Sequence, residues 1–115
     1  MPSLKTQIGK NGELLAKKFL QEKGWQFITQ NFHTRFGEID LVFLDRKTLI
    51  FIEVKTRTNP NAGHPEEAVN QKKLNNLQKA AQFFLIQNPQ YENFALRIDV
   101  IAIENGEIKH YEAVY

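Results

Sequence analysis

Apolar and polar positions between residues 37 and 55 fall into two runs, Ile39 to Leu44 and Leu49 to Val54, around the break Asp45-Arg46-Lys47. Both runs are rich in β-branched and aromatic residues, and the pattern predicts a β-hairpin. Side chains alternate along a strand. Glu38 and Asp40 therefore share a face with Val42 and Leu44, opposite Ile39, Leu41 and Phe43. On the second strand Glu53 and Lys55 share a face with Leu49 and Phe51, opposite Ile50, Ile52 and Val54. A turn at Arg46-Lys47 sets Asp45 against Thr48, Asp40 against Glu53 and Glu38 against Lys55, with Ile39, Leu41 and Phe43 against Val54, Ile52 and Ile50. A slip of one residue would oppose Asp40 to Ile52 and Ile39 to Glu53, which suits neither face. Arg-Lys is not a favoured turn pair, so register rests on the face pattern.

The same reading extends along the chain. Residues 6–23 form an amphipathic helix closed by Gly24, with Ile8, Gly12, Leu15, Ala16, Phe19 and Leu20 on one stripe and Glu13 at its edge. Gly9 and Gly12 are unfavourable inside a helix and imply a close approach to another group. Trp25 to Phe32 reads as a strand, and Asn31 to Phe36 as the turn into the hairpin. From Thr56 to Pro65 the chain is polar and irregular, a long loop leaving the hairpin's charged end, with a short helical turn over Pro65 to Val69. Long loops of this kind are often functional, and this one is expected to order on substrate. Asn70 caps a second helix that ends at Asn88 before Pro89, with Leu74, Leu77, Ala81, Phe84 and Leu85 as its apolar stripe. Phe94 to Ile103 is a buried strand, Asn105-Gly106 a strong hairpin turn, and Ile108 to Val114 an edge strand.

The order α-β-β-β-α-β-β defines an α/β fold: a single domain over residues 1–115 with a mixed sheet of about five strands flanked by helices. The last long strand is expected parallel to the Glu53 strand through a right-handed crossover.

Length and composition sharpen this without changing it. A chain of 115 residues with 42% apolar content supports one core. The absence of cysteine excludes a disulfide framework, a thiol nucleophile and cysteine-based zinc sites. No apolar run is long enough to span a bilayer, and the first residues lack a signal peptide's apolar segment, so no membrane association and a cytoplasmic location are expected. A net charge of +2 is only mildly basic, so any contact with nucleic acid must come from local placement.

Chemistry concentrates at the hairpin's charged end. Two carboxylates facing each other on neighbouring strands repel unless a cation lies between them, and such hard oxygen ligands suit Mg²⁺ or Mn²⁺. A metal there can polarise a phosphoryl oxygen, with Lys55 placed to offset charge on the same group. A bare Glu-x-Lys tripeptide is most often a solvated strand end; Asp40 in register with Glu53 and Lys55 is more specific. Glu13 is either a solvated flank residue or a further carboxylate at the metal. Arg57 is expected to reach a phosphate. Lys73, in the first turn of the second helix, opposes the helix dipole and so wants an anionic partner. Its bland alternative is to cover the core edge. Lone histidines His33, His64 and His110 are poor metal-ligand candidates. Arg97 and Asp99 share a face, and a mutual or cross-strand ion pair is expected there rather than chemistry.

Asp40 with Glu53-Val54-Lys55 resembles the D…(D/E)xK signature of the restriction-endonuclease-like nucleases, which include archaeal Holliday-junction resolvases. More closely, the chain resembles the YraN family of small bacterial proteins predicted to be nucleases. Matching stretches are Gly12-Glu13-Leu14-Leu15-Ala16, Gly37-Glu38-Ile39-Asp40-Leu41, Phe51 to Arg57, Ala68-Val69, Lys73 and Arg97-Ile98-Asp99-Val100. Ile39 departs from the superfamily's proline before the aspartate. The resemblance implies a restriction-endonuclease-like core and a metal-dependent endonuclease acting on phosphodiesters, in structured or branched DNA. Asp40, Glu53 and Lys55 would be its catalytic residues, and Asp40, Glu53 and Glu13 its metal ligands. Arg57 and Lys73 would contact nucleic acid, with a homodimer as a candidate assembly. The alternative is a non-catalytic nucleic-acid-binding or partner-recruiting module on the same fold.

Overall fold

The structure, a computed structural model, describes residues 4–57 and 70–115, with side chains from residue 11 onward. Helix α1 (Leu4–Glu22) is followed by strands β1 (Gln26–Thr34), β2 (Gly37–Asp45) and β3 (Thr48–Arg57), helix α2 (Gln71–Gln87), a 3₁₀ turn at Pro89–Tyr91, and strands β4 (Ala95–Glu104) and β5 (Glu107–Tyr111). The strands form one mixed sheet in the order β1-β2-β3-β4-β5. All neighbours are antiparallel except β3 and β4, which run parallel. This is the expected α/β layout. The expected Thr56 to Pro65 loop from Thr58 onward, the helical turn over Pro65 to Val69 and His64 lie outside the described residues.

Both faces of the sheet are buried, which explains why β3 reads as a nearly continuous apolar run. Beneath α1, Ala16 and Leu20 pack with Leu41, Phe43, Ile50, Ile52, Ile101 and Ile103. Beneath α2, Leu77, Ala80, Ala81 and Phe84 pack with Val42, Leu49, Phe51 and Ile98. The α2 stripe follows the expected spacing. On α1, Leu15 departs from it and is 45% exposed, because Gly12, Ala16 and Leu20 define a narrower contact line. No helix among the described residues is long and apolar enough to cross a membrane.

Local chemistry sets the element ends. Gly24 closes α1 with φ 89°, and Asn105 and Gly106 take φ 52° and 81° in the last hairpin turn. Arg46 adopts φ 57°, so the β2–β3 turn accepts a left-handed residue without glycine. The Asn70 side chain accepts a hydrogen bond from the Lys73 N–H at 2.8 Å, capping α2.

The β2–β3 register is the expected one over the stretch from Leu41↔Ile52 to Asp45↔Thr48. Three expectations need correction. Alternation breaks at Asp40: Ile39 packs in the cluster beneath α2, although Leu41 and Phe43 lie beneath α1. Opposite this point Asn31 of β1 has φ 53° and is skipped between the pairs Gln30↔Leu41 and Phe32↔Ile39. Thr56 and Arg57 belong to β3 rather than to a loop, because the parallel ladder with β4 continues through Thr56↔Ile103 and Arg57↔Glu104. The edge strand β5 stops at Tyr111 rather than Val114. There Ala113 turns with φ 55° and its N–H goes to Asp99 Oδ1 at 2.9 Å.

Asp99 is fully buried and fully engaged. Arg97 donates Nε to Oδ1 at 2.8 Å and a terminal nitrogen to Oδ2 at 2.9 Å, the expected ion pair in bidentate form. His110 Nε2 lies 2.7 Å from Oδ2, and its Nδ1 lies 2.9 Å from the Lys23 ammonium. Burial alone would raise the Asp99 pKa, but hydrogen bonds from His110, Arg97 and the Ala113 N–H leave it below the ordinary carboxylate value. The network ties β4, β5, the end of α1 and the C-terminal residues together.

Gly12 marks where α1 meets β3. A Cβ there would stand 2.1 Å from Thr56 Oγ1 and 3.6 Å from Ile103 Cδ1. Gly12→Ala gains about 1 kcal/mol of helix propensity against an overpacking cost of about 1–3 kcal/mol. It should therefore destabilise the wild type and become neutral or stabilising in a Thr56→Ala background. A double-mutant cycle by chemical denaturation checks this; effects that add within about 0.5 kcal/mol would show that the two positions do not meet.

Candidate metal centre at the end of the β2–β3 ladder

The backbone ladder between β2 and β3 runs as far as Leu41↔Ile52. At the next position the Asp40 carboxylate enters: its Oδ2 accepts the Val54 N–H at 2.8 Å. Glu53, in register with Val100 of β4, is 7% exposed and lies toward α2. The two acids thus meet at the mouth of the hairpin, where β2 bends and β3 continues alone beside β4.

Asp40 is surrounded by negative charge. Burial, the charge of Glu53, and smaller contributions from Glu13 and Glu38 push its pKa up to about 8, against the one favourable hydrogen bond from Val54. Without a cation Asp40 therefore carries a proton near neutral pH. Its neighbours are compensated differently. The Lys73 ammonium contacts Glu53 Oε1 at 2.5 Å. The Asn31 amide, oriented with its nitrogen toward the acids, donates to Glu13 Oε2 at 3.1 Å and to Glu38 Oε1 at 2.8 Å.

Each candidate residue has a definite place. Asp40 lies near enough to Glu53 for its charge to be felt, but the expected backbone pair Asp40↔Glu53 is not formed: the β2–β3 pairs end at Leu41↔Ile52, and Asp40 meets the Val54 N–H instead. Glu13 lies at the half-buried edge of α1, shares Asn31 with Glu38 and feeds its field into Asp40. Lys55 is exposed on β3, in register with Ala102 and two positions beyond Glu53. The expected pairing of Lys55 with Glu38 does not form; Glu38 lies instead against Asn31 and 3.8 Å from His33 Nδ1. Arg57 is the last residue of β3, opposite Glu104. The anionic partner required by Lys73 is Glu53 itself.

Sequence reasoning missed Asn31 and the Val54 N–H. The signal for Asn31 was an asparagine inside an aromatic β-run, a residue type that tolerates left-handed backbone. Backbone donors such as Val54 leave no sequence signal.

Among the described residues no three His, Asp or Glu side chains converge closely enough to enclose a metal ion. The donor set still fits Mg²⁺ or Mn²⁺. Magnesium keeps several waters and is commonly held by one or two carboxylates plus substrate phosphate. Asp40 and Glu53 supply the two carboxylates, and Asp40 has no cationic side chain of its own in hydrogen-bond contact among the described residues. Binding would displace the Asp40 proton.

The raised pKa has a definite sign in stability. Between the ordinary value of 3.8 and about 8, folded Asp40 holds a proton that the unfolded chain has lost. Stability contributed by this group therefore falls as pH rises through that window and levels off above it. Asp40→Asn keeps an oxygen for the Val54 N–H and removes the charge. In EDTA its melting temperature should exceed that of the wild type by a margin that grows from pH 5 to pH 8. One pKa unit corresponds to about 1.4 kcal/mol, and each kcal/mol to roughly 4–8 °C in a domain of this size. A constant or shrinking margin would contradict the raised pKa.

A family model described as uncharacterised protein family UPF0102 matches residues 12–103. A UPF0102 protein of Vibrio parahaemolyticus is 45% identical over 102 residues, covering 89% of this chain and 84% of that protein. A UPF0102 protein of Syntrophomonas wolfei is 40% identical over 104 residues, covering 90% of each. One from Chlorobium phaeobacteroides is 43% identical over 110 residues, covering 91% of this chain and 86% of that protein.

Proposed function

We propose that this chain, which belongs to the uncharacterised family UPF0102, is a divalent-metal-dependent nuclease whose centre is Asp40 and Glu53. The observation that carries the reading is a contrast within one sheet. Asp99 is buried with four hydrogen bonds and a lowered pKa. Asp40 accepts one hydrogen bond among the described residues, lies in the field of three other carboxylates and has a raised pKa. The fold is able to satisfy a buried acid and leaves this one short of positive charge, which is a functional-site signature.

In this reading Asp40 and Glu53 would hold Mg²⁺ or Mn²⁺, which would supply Lewis acidity toward a phosphoryl oxygen and lower the pKa of a bound water. Lys55, exposed beside Glu53, orients the attacking water and offsets charge building on the phosphoryl oxygens. Water gives up a proton to solvent as it forms the new P–O bond, the bond to the sugar oxygen breaks, and that oxygen takes up a proton from solvent. Lys73 fixes the Glu53 carboxylate. Glu13, acting through Asn31 and water, completes the negative shell, and Arg57 lies toward the phosphate backbone. DNA, in structured or branched form, is the proposed substrate.

The test is incubation of linear, flapped and four-way DNA with the purified protein in Mg²⁺, Mn²⁺ or Ca²⁺. Cleavage should require Mg²⁺ or Mn²⁺ and fall on the order of a hundredfold or more in Asp40→Asn, Glu53→Gln and Lys55→Ala, all of which should stay folded. DNA affinity should decline with rising salt. Binding without cleavage in any metal would leave a recruiting module instead, and wild-type cleavage rates in Asp40→Asn would place the activity elsewhere.

A further inference from the structure

Beside the acid pair lies a cavity of about 180 Å³ between the start of β2 and the first turns of α2. Phe36, Glu38, Lys73, Asn76, Leu77 and Ala80 line it. Lys73 joins it to the acid pair, since the same side chain contacts Glu53. Phe36 is half-buried, and two cations attend its ring. The Arg35 guanidinium carbon is 4.9 Å from the ring centroid and the Lys79 ammonium 5.5 Å.

A second cavity, about 210 Å³ among Phe51, Gln78, Gln82, Leu96, Arg97 and Tyr115, offers no comparable chemistry. Its charged lining residue, Arg97, is already committed to Asp99 in bidentate fashion. The cluster of Asp99, His110 and Lys23 is likewise internally satisfied.

A flat aromatic ring with two cations lying over it, apolar neighbours, and one amide able to donate and accept together match a nucleobase with its flanking phosphates, the base taking a ring face and the cations moving to the phosphates. Aromatic side chains stack on any base, an amide can pair with a base edge, and Arg35 and Lys79 can meet the backbone on either side. A base inside a duplex cannot reach a recess between a helix and a strand; it must leave the stack. We infer that this cavity seats one unstacked base of a nucleic-acid strand beside Asp40 and Glu53. The substrate class is then a strand with an unpaired nucleotide next to the bond that is cut. This rests on the metal-nuclease reading and narrows it.

Binding measured in EDTA keeps the inference separate from catalysis. Fluorescence anisotropy would compare a labelled single strand, the blunt duplex of the same sequence, the single strand with one abasic position at each site in turn, and the RNA equivalent. Variants would be Phe36→Ala, Phe36→Trp and Asn76→Ala, with melting curves as folding controls. The wild type should prefer a single strand, DNA or RNA, to the duplex by at least tenfold. Phe36→Ala should weaken single-strand binding roughly 5- to 150-fold, the range for loss of one base–aromatic stack, while Phe36→Trp retains it. Removing the seated base should weaken wild-type binding and leave Phe36→Ala unchanged. Equal affinity for single strand and duplex, no effect of Phe36→Ala, an equal loss in Phe36→Trp, or no binding to either strand would overturn the inference. The two readings fail differently: cleavage without Phe36-dependent binding removes the base cavity only, and Phe36-dependent binding without cleavage in any metal removes the nuclease only.

Discussion

Two like charges forced together at the end of a strand pair are the constraint on which this structure turns. Asp40 and Glu53 sit where both faces of the sheet are covered and water is scarce, so their repulsion is poorly screened. The protein answers it in three ways. A proton stays on Asp40, the Lys73 ammonium lies against Glu53, and the Asn31 amide bridges the outer acids Glu13 and Glu38. Each of these concerns a different element, so β1, β2, β3, α1 and α2 all meet at one point through polar side chains.

The rest of the fold holds that point still. β3 is paired on both sides, antiparallel to β2 and parallel to β4, and its alternate residues fill the two cores beneath α1 and α2. Gly12 lets α1 approach β3 at Thr56, which brings Glu13 to the acid cluster. Asp99 pairs with Ile52, the residue before Glu53, and its four hydrogen bonds anchor β4 and the C-terminal residues. Rigid support from central strands suits a site that must hold ligands in fixed geometry.

Much of this was legible in the sequence because local chemistry and tertiary need agree. Asn70 capped its helix, Asn105-Gly106 turned its hairpin, and the β2–β3 register followed from keeping Leu41 and Phe43 off the polar side. What was not legible depended on partners distant in sequence. Ile39 changes face because β2 bends at Asp40 opposite the left-handed Asn31, and strict alternation cannot foresee a bend. Thr56 and Arg57 read as loop because their polarity hides a ladder with β4 that appears only after the crossover. The C-terminal residues leave β5 after Tyr111 because the buried Asp99 takes the Ala113 N–H. At the site, the identities of Asp40 and Glu53 are readable, and so is the need of Lys73 for an anionic partner; that the partner is Glu53 is not, because the two residues lie on different elements and meet only in the folded chain.

In the proposed function the neighbours of Asp40 keep a proton on it until a divalent cation replaces that proton. The Asp40 carboxyl carbon, followed by ¹³C NMR across pH in protein labelled at aspartate and assigned by Asp40→Asn, reports this directly. Without metal the resonance should titrate near pH 8, and saturating Mg²⁺ should move the midpoint down by two units or more, with no such shift at Asp99. An Asp40 that titrates near pH 4 and ignores Mg²⁺ would contradict the account.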